Sequence, residues 1–105
     1  MRRGEVYRFR IPKGLGHEQQ GERYGVIVQA DELLPRSVVL VAPTSRRARA
    51  ASFRPQVTVA GDDTRVLIEQ VGAVDMQRLG KRVGRLAAEE MWAVDEALMT
   101  VLGLD

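Results

Sequence analysis

Arg82-Val83-Gly84-Arg85-Leu86-Ala87-Ala88-Glu89-Glu90-Met91-Trp92-Ala93-Val94-Asp95-Glu96-Ala97-Leu98 is where the chain changes its period. Arg82 to Leu86 reads as a short strand. From Met91 onward the apolar positions are Met91, Val94, Leu98, Val101 and Leu102, which is helical spacing, with Glu89, Glu90, Asp95 and Glu96 elsewhere on the surface. Acidic residues in the first turn suit the positive end of the helix dipole. Ala87 offers no side-chain acceptor as an N-cap, a cost of about 1 kcal/mol against Ser or Asp. Gly103 supplies a stop.

Upstream of this boundary the pattern is extended. Glu5 to Ile11 alternates with Val6, Phe9 and Ile11 apolar among charges. Pro12 to Glu22 is a long polar loop, and long loops in compact domains are often functional. Tyr24 to Ala30 and Ser37 to Ala42 read as buried strands separated by a turn region at Asp31 to Arg36. Arg46 to Arg54 is a second polar loop. Gln56 to Val59 reads as an edge strand, Gly61-Asp62-Asp63 as a turn, and Arg65 to Val74 as one extended run interrupted by Gly72. Asp75 caps a short turn from Met76 to Leu79. Six or seven short strands followed by one helix predict a mainly β fold, a small and strongly bent antiparallel barrel with the C-terminal helix packed on it.

Length and composition narrow the classes. The 105 residues suit one domain, and an apolar fraction of 45% supplies one small core. There are no cysteines, so disulfides and thiolate metal sites are excluded, and with a single histidine a transition-metal catalytic site is not expected. No long apolar run or charged-then-apolar leader occurs, which predicts a soluble protein that is not exported. Fourteen of the sixteen basic residues are arginine, the side chain that forks onto phosphates. Residues 1–55 carry eleven basic and five acidic side chains, and residues 56–105 carry five and nine. The net charge of +2 therefore hides a basic half, where an anionic partner is expected.

Two features of that half carry chemistry. Gly16-His17-Glu18-Gln19-Gln20-Gly21-Glu22 delivers Arg23 onto the start of an apolar strand, and Val38 to Ala42 runs into Pro43-Thr44-Ser45. A cation and a hydroxyl, each at a strand end, are a minimal set for stabilising a phosphoryl transition state. His17 has an unperturbed pKa suited to acid–base work, or else shapes the loop. Glu18 accepts a proton or locks Arg23. Arg46, Arg47, Arg49 and Arg54, with Phe53 among them, form a candidate surface for a single strand of nucleic acid, and Gln70 a candidate base-edge reader. Met91, Trp92 and Met99 read as core or dimer packing.

These residues resemble the MazF/PemK-type toxins of toxin–antitoxin pairs. The resemblance runs through Arg3-Gly4-Glu5-Val6-Tyr7, the Gly16–Arg23 loop, Val41-Ala42-Pro43-Thr44-Ser45, Leu67-Ile68-Glu69-Gln70-Val71, Gly84-Arg85-Leu86 and Val94-Asp95-Glu96-Ala97-Leu98. It implies one toxin domain over residues 1–105 with the SH3-like barrel shared with CcdB gyrase poisons, and a homodimer in the cytoplasm. It also implies a metal-independent, cofactor-free endoribonuclease that cuts single-stranded RNA at short sequences and arrests growth. A cognate MazE-like antitoxin with an acidic C-terminal segment would hold it inactive. Arg23 is then the phosphate stabiliser, with Thr44, or Ser45 in its place, as the hydroxyl, Glu18 in support and His17 a weaker candidate. The chain departs from the pattern in having Tyr24 where proline usually follows the arginine, Gly72 where an arginine is common, and a shortened hydroxyl motif. Those departures keep open a CcdB-like gyrase-binding poison, or a catalytically inactive barrel that binds RNA or antitoxin.

Overall fold

The computed structural model describes residues 1–11 and 21–104. Its strands are β1 (Glu5–Ile11), β2 (Gly21–Ile27), β3 (Val38–Ser45), β4 (Gln56–Val59), β5 (Asp62–Val66), β6 (Gly72–Asp75) and β7 (Leu79–Arg85), and its helix is α1 (Ala88–Leu102). They form one antiparallel sheet in the order β4-β5-β3-β2-β1-β7, with β6 pairing β3 off this path. The sheet curls into a half-barrel closed by α1, as the change of period at Leu86 leads one to expect.

β3 organises the sheet. Its first half, Val38 to Val41, pairs β6, and its last two residues, Thr44 and Ser45, pair β5. Pro43, which has no N–H to give a ladder, sits at the handover, and its carbonyl accepts from Leu67 N–H at 2.8 Å. β3 thus continues to Ser45, three residues beyond the expected end at Ala42. β2 begins at Gly21, so Arg23 lies inside a strand and not at its entrance. The run expected as one strand from Arg65 to Val74 is broken: β5 ends at Val66, Ile68–Gln70 forms a 3-10 turn, and β6 resumes at Gly72. Partner switching along β3 is the reason, since one continuous strand could not serve both halves.

Period two places apolar residues on both faces of the sheet. The inner cluster joins Val6, Val26, Ala42, Val57, Val66, Ile68 and Leu86 to Val94 and Ala97 of α1. The outer one gathers Phe9, Ile27, Val39, Val41 and Val74. Val94 has no exposed surface, and burying such a side chain contributes about 1.5–3 kcal/mol. Trp92 is 67% exposed and so lies outside this chain's core, whereas Met91 packs against the inner cluster. Glu90 ties α1 to the sheet: one carboxylate oxygen accepts from Ala87 N–H at 2.8 Å and the other from Thr58 N–H at 2.8 Å. Arg3 joins the same helix to β2's end through Asp95 at 2.7 Å and the Val28 carbonyl at 2.8 Å. At the other terminus Gly103 takes the left-handed conformation, as expected.

Asp62 opens β5, so the β4–β5 turn consists of Ala60 and Gly61, one residue earlier than expected. Both have positive φ, +51° and +84°, the mark of a two-residue type I′ hairpin. Alanine is a poor resident there. Ala60→Asn, which tolerates that conformation, is expected to raise stability by about 0.5–1 kcal/mol. A melting temperature unchanged or lowered by the substitution would contradict the turn assignment.

Glu5 joins β1 to β7. Burial disfavours its charge, but Arg2 N–H at 2.8 Å, the Tyr7 hydroxyl at 3.0 Å and Arg82 at 3.0 Å outweigh it and hold its carboxyl below the usual value. Burial, then the bond to Glu5, push Tyr7 the other way, above its usual value. A carboxylate lowered in the fold stabilises it above the unfolded pKa, about 4.3, and loses that effect as pH falls through the folded value. Glu5→Gln is therefore expected to cost on the order of 1–3 kcal/mol at neutral pH. The melting-temperature difference from wild type should close below about pH 4; a gap constant with pH would show that the charge is not responsible.

Candidate functional site

The inner face of the half-barrel does not stay apolar to its end. Moving two residues along each strand, Val6 of β1 gives way to Arg8, Val26 of β2 to Tyr24, Ala42 of β3 to Thr44, and Val66 of β5 to Thr64. The same side chains that fill the core near α1 are thus replaced, at the open end, by groups that bind polar ligands. A cavity of about 680 Å³ lies there, lined also by Arg23, Ser45, Arg46, Arg47, Ala48, Val59 and Asp62. Four guanidinium groups face one carboxylate around it.

Arg23 and both candidate hydroxyls therefore meet at one cavity. Thr44 is 3% exposed, and its Oγ1 donates to the Tyr24 carbonyl at 3.2 Å. Ser45 is 9% exposed, and its Oγ accepts from Arg47 N–H at 3.2 Å, which leaves the hydroxyl its own proton to give. The two hydroxyls differ in that respect. Thr44 must release a strand contact before it can donate to a ligand, and Ser45 need not. Arg46 lies 3.6 Å from Asp62 with both side chains well exposed, a contact that is weak in water.

The second loop divides in two. Arg46 and Arg47 line the cavity, but Arg49, Phe53 and Arg54 do not. Arg54 is engaged elsewhere: Nε and NH2 both donate to Glu69 Oε2, at 2.9 and 2.6 Å, and NH1 donates to the Arg49 carbonyl at 3.2 Å. Its guanidinium also lies 5.6 Å from the ring centroid of Phe53, which packs against the inner core. Arg54 and Phe53 thus latch the loop to the 3-10 turn that carries Glu69. Gln70 ends that turn, half-buried and outside the cavity lining. His17 and Glu18 lie outside the described residues.

Three lining groups were not among the residues singled out by sequence. Arg8 and Tyr24 are direct cross-strand partners, with the Arg8 guanidinium 5.9 Å above the Tyr24 ring. Thr64 is 5% exposed, and its hydroxyl is buried without a partner among the described residues. The available signal was the β1–β2 register, which places residues 8 and 24 opposite each other once the strands are paired. Among the described residues, no group of three or more His, Asp or Glu side chains could hold a metal ion. No helix among them is long and apolar enough to cross a membrane.

The fold recurs in solved toxin structures. A MazF from Deinococcus radiodurans superposes with a TM-score of 0.84 at 19% identity, covering 99% of this chain and 97% of that one. An endoribonuclease in complex with its cognate antitoxin, from a mycobacterial species, gives 0.82 at 21% identity over 100% and 97%. Sequence brings the comparison closer: the Mycobacterium tuberculosis (strain H37Rv) protein named "Putative toxin Rv3098A" is 39% identical over 104 residues, 97% of each chain. The family model for the PemK-like, MazF-like toxin of type II toxin–antitoxin systems matches residues 2–102, and the chain belongs to that family.

Proposed function

We propose that this toxin is a metal-independent endoribonuclease acting on single-stranded RNA. The observation that carries the proposal is the meeting of Arg23 with Thr44 and Ser45 in one strongly cationic cavity. RNA brings its own nucleophile, the 2′-hydroxyl. Its oxygen attacks the adjacent phosphorus, the bond to the 5′-oxygen breaks, the 2′ proton leaves, and the departing oxygen gains one. The products are a 2′,3′-cyclic phosphate and a 5′-hydroxyl. The protein's part is to hold the phosphate in line and to stabilise charge on its equatorial oxygens. Arg23 suits that part because a planar fork can engage two oxygens at once. Ser45 is the readier hydroxyl donor to the same phosphate, and Thr44 fixes the strand backbone beside it. Arg46 and Arg47 at the rim would track the flanking phosphates.

The named complex of a related endoribonuclease with its antitoxin and the basic cavity together support an acidic antitoxin segment as the inhibitor, competing with RNA for the same guanidinium groups. Exposed apolar side chains along α1, with Trp92, Met99 and Leu102 among them, support a homodimer, since a surface of this kind is ordinarily covered.

The test is cleavage of a long, mixed-sequence single-stranded RNA in EDTA, with the fragment ends typed chemically. Discrete fragments with 5′-hydroxyl ends are expected. Intact RNA beside a well-folded protein would overturn the reading and turn attention to gyrase binding or to binding without chemistry.

A further inference from the structure

We propose that the open end of the half-barrel is a nucleobase site. The ring of Tyr24 stacks on one base of the bound strand, and the Thr64 hydroxyl reads that base's edge. The proposal rests on the RNA reading above and assigns the residues that choose among sequences.

The first ground is Thr64. Its side chain is 95% buried, taking the complement of its 5% exposure, and its hydroxyl is unpartnered among the described residues although it lines the cavity. A buried hydroxyl left unpaired is costly and calls for an explanation. A base edge entering from the cavity would supply the missing partner, and a hydroxyl can both donate to and accept from such an edge.

The second ground is Tyr24. Single-stranded nucleic acid is held by aromatic faces as much as by charge. Tyr24 is the aromatic side chain that lines the cavity, and the Arg8 guanidinium over its ring strengthens the platform. Val59 adds an apolar wall. The residue follows Arg23 directly, and its carbonyl receives the Thr44 hydroxyl. A base stacked there therefore belongs to a nucleotide adjoining the phosphate held by Arg23, where recognition bears on which bond is cut. The same tyrosine is one of the chain's departures from the family pattern, so the preference it confers would be this chain's own.

The experiment measures binding to a random-sequence pool of 2′-fluoro RNA, which lacks the attacking hydroxyl and separates binding from cleavage. Bound sequences are read out for wild type, Tyr24→Ala, Tyr24→Phe and Thr64→Val. Tyr24→Ala is expected to lose about 5- to 100-fold in affinity, and Tyr24→Phe to recover most of it. Thr64→Val is nearly isosteric and removes only the hydroxyl. It should flatten the base preference at one position while raising the melting temperature, because an unpaired buried group has gone. Should Tyr24→Ala fold poorly, Thr64→Val alone decides. Unchanged affinity and unchanged preference in both variants would overturn the base site. So would a uniform loss in Tyr24→Ala, equal across sequences, that Tyr24→Phe fails to restore. If wild type neither binds nor cuts RNA, the ribonuclease reading itself has failed.

Discussion

Arg23→Ala is expected to leave a folded protein whose RNA cleavage is slower by about 100- to 1,000-fold, the range seen when one charge-stabilising donor is removed from a reaction of this type. The reasoning is differential. A guanidinium that held ground state and transition state alike would change KM alone, whereas one aimed at developing charge changes kcat. Arg23 lies within β2, in register with Phe9 of β1, so its backbone is fixed and the loss should fall on kcat. Arg23→Lys tests the fork: a point charge restores attraction but not the two-oxygen grip, and should recover only part of the rate. Ser45→Ala should cost less than Arg23→Ala, because one neutral donor is worth less than a charged one. A cleavage rate for Arg23→Ala within a few-fold of wild type would remove this residue from the reaction centre, whatever its position in the cavity.

Much of this arrangement was legible in the sequence, and the reasons for success and failure differ by residue. The helix was readable because its signal is local: five apolar positions at helical spacing and a glycine stop need no knowledge of the rest of the chain. Asp75 was readable for the same reason, and its side chain does accept from Gln77 N–H at 2.8 Å. The boundaries of β3 were not. Thr44 and Ser45 are strand residues only because β5 arrives to pair them, and proline before them looks like an ending when read alone. The broken run between Arg65 and Val74 has the same origin, since β3 takes one partner and then the other.

The candidate site divides along similar lines. Arg23, Thr44 and Ser45 were found through chemistry carried by a motif. Arg54 and Phe53 read as a nucleic-acid surface because charge and aromaticity in a loop suggest one. The Glu69 carboxylate that engages Arg54 lies fifteen residues away in sequence, and no spacing rule joins them. Arg8 and Thr64 escaped for the opposite reason. Each is an ordinary polar residue in an ordinary strand, and becomes part of a site only where the inner face of the sheet runs out of core.

Gly25→Ala is expected to be among the most destabilising single substitutions this chain admits. A glycine inside a strand usually weakens it, and Gly25 is instead required by what surrounds it. A Cβ there would stand 2.5 Å from Val41 Cγ1 and 2.7 and 2.8 Å from two ring atoms of Phe9, distances shorter than any such contact normally allows. Neither neighbour is free to retreat, because Phe9 is 5% exposed and Val41 1% exposed within the outer cluster. Phe9 thus fills, from the adjacent strand, the space that a side chain at position 25 would occupy. Overpacking of this kind costs about 1–3 kcal/mol, a large share of the roughly 5–15 kcal/mol that holds such a domain together. Gly25 also pairs with Tyr7 on one side and Pro43 on the other, two residues after Arg23 and one before Thr44 across the ladder. Displacing β2 there should move the cation relative to the hydroxyls, so activity is expected to fall along with melting temperature. Val41→Ala removes the nearest clash, and the double variant Gly25→Ala/Val41→Ala should be less unstable than the two single losses added together. Strict additivity would place the strain elsewhere, and a Gly25→Ala protein as stable as wild type would mean that the two strands are not packed as closely as described. Set beside Arg23→Ala, which should spare stability and remove chemistry, the pair separates the residue that acts from the residue that lets the sheet hold it in place.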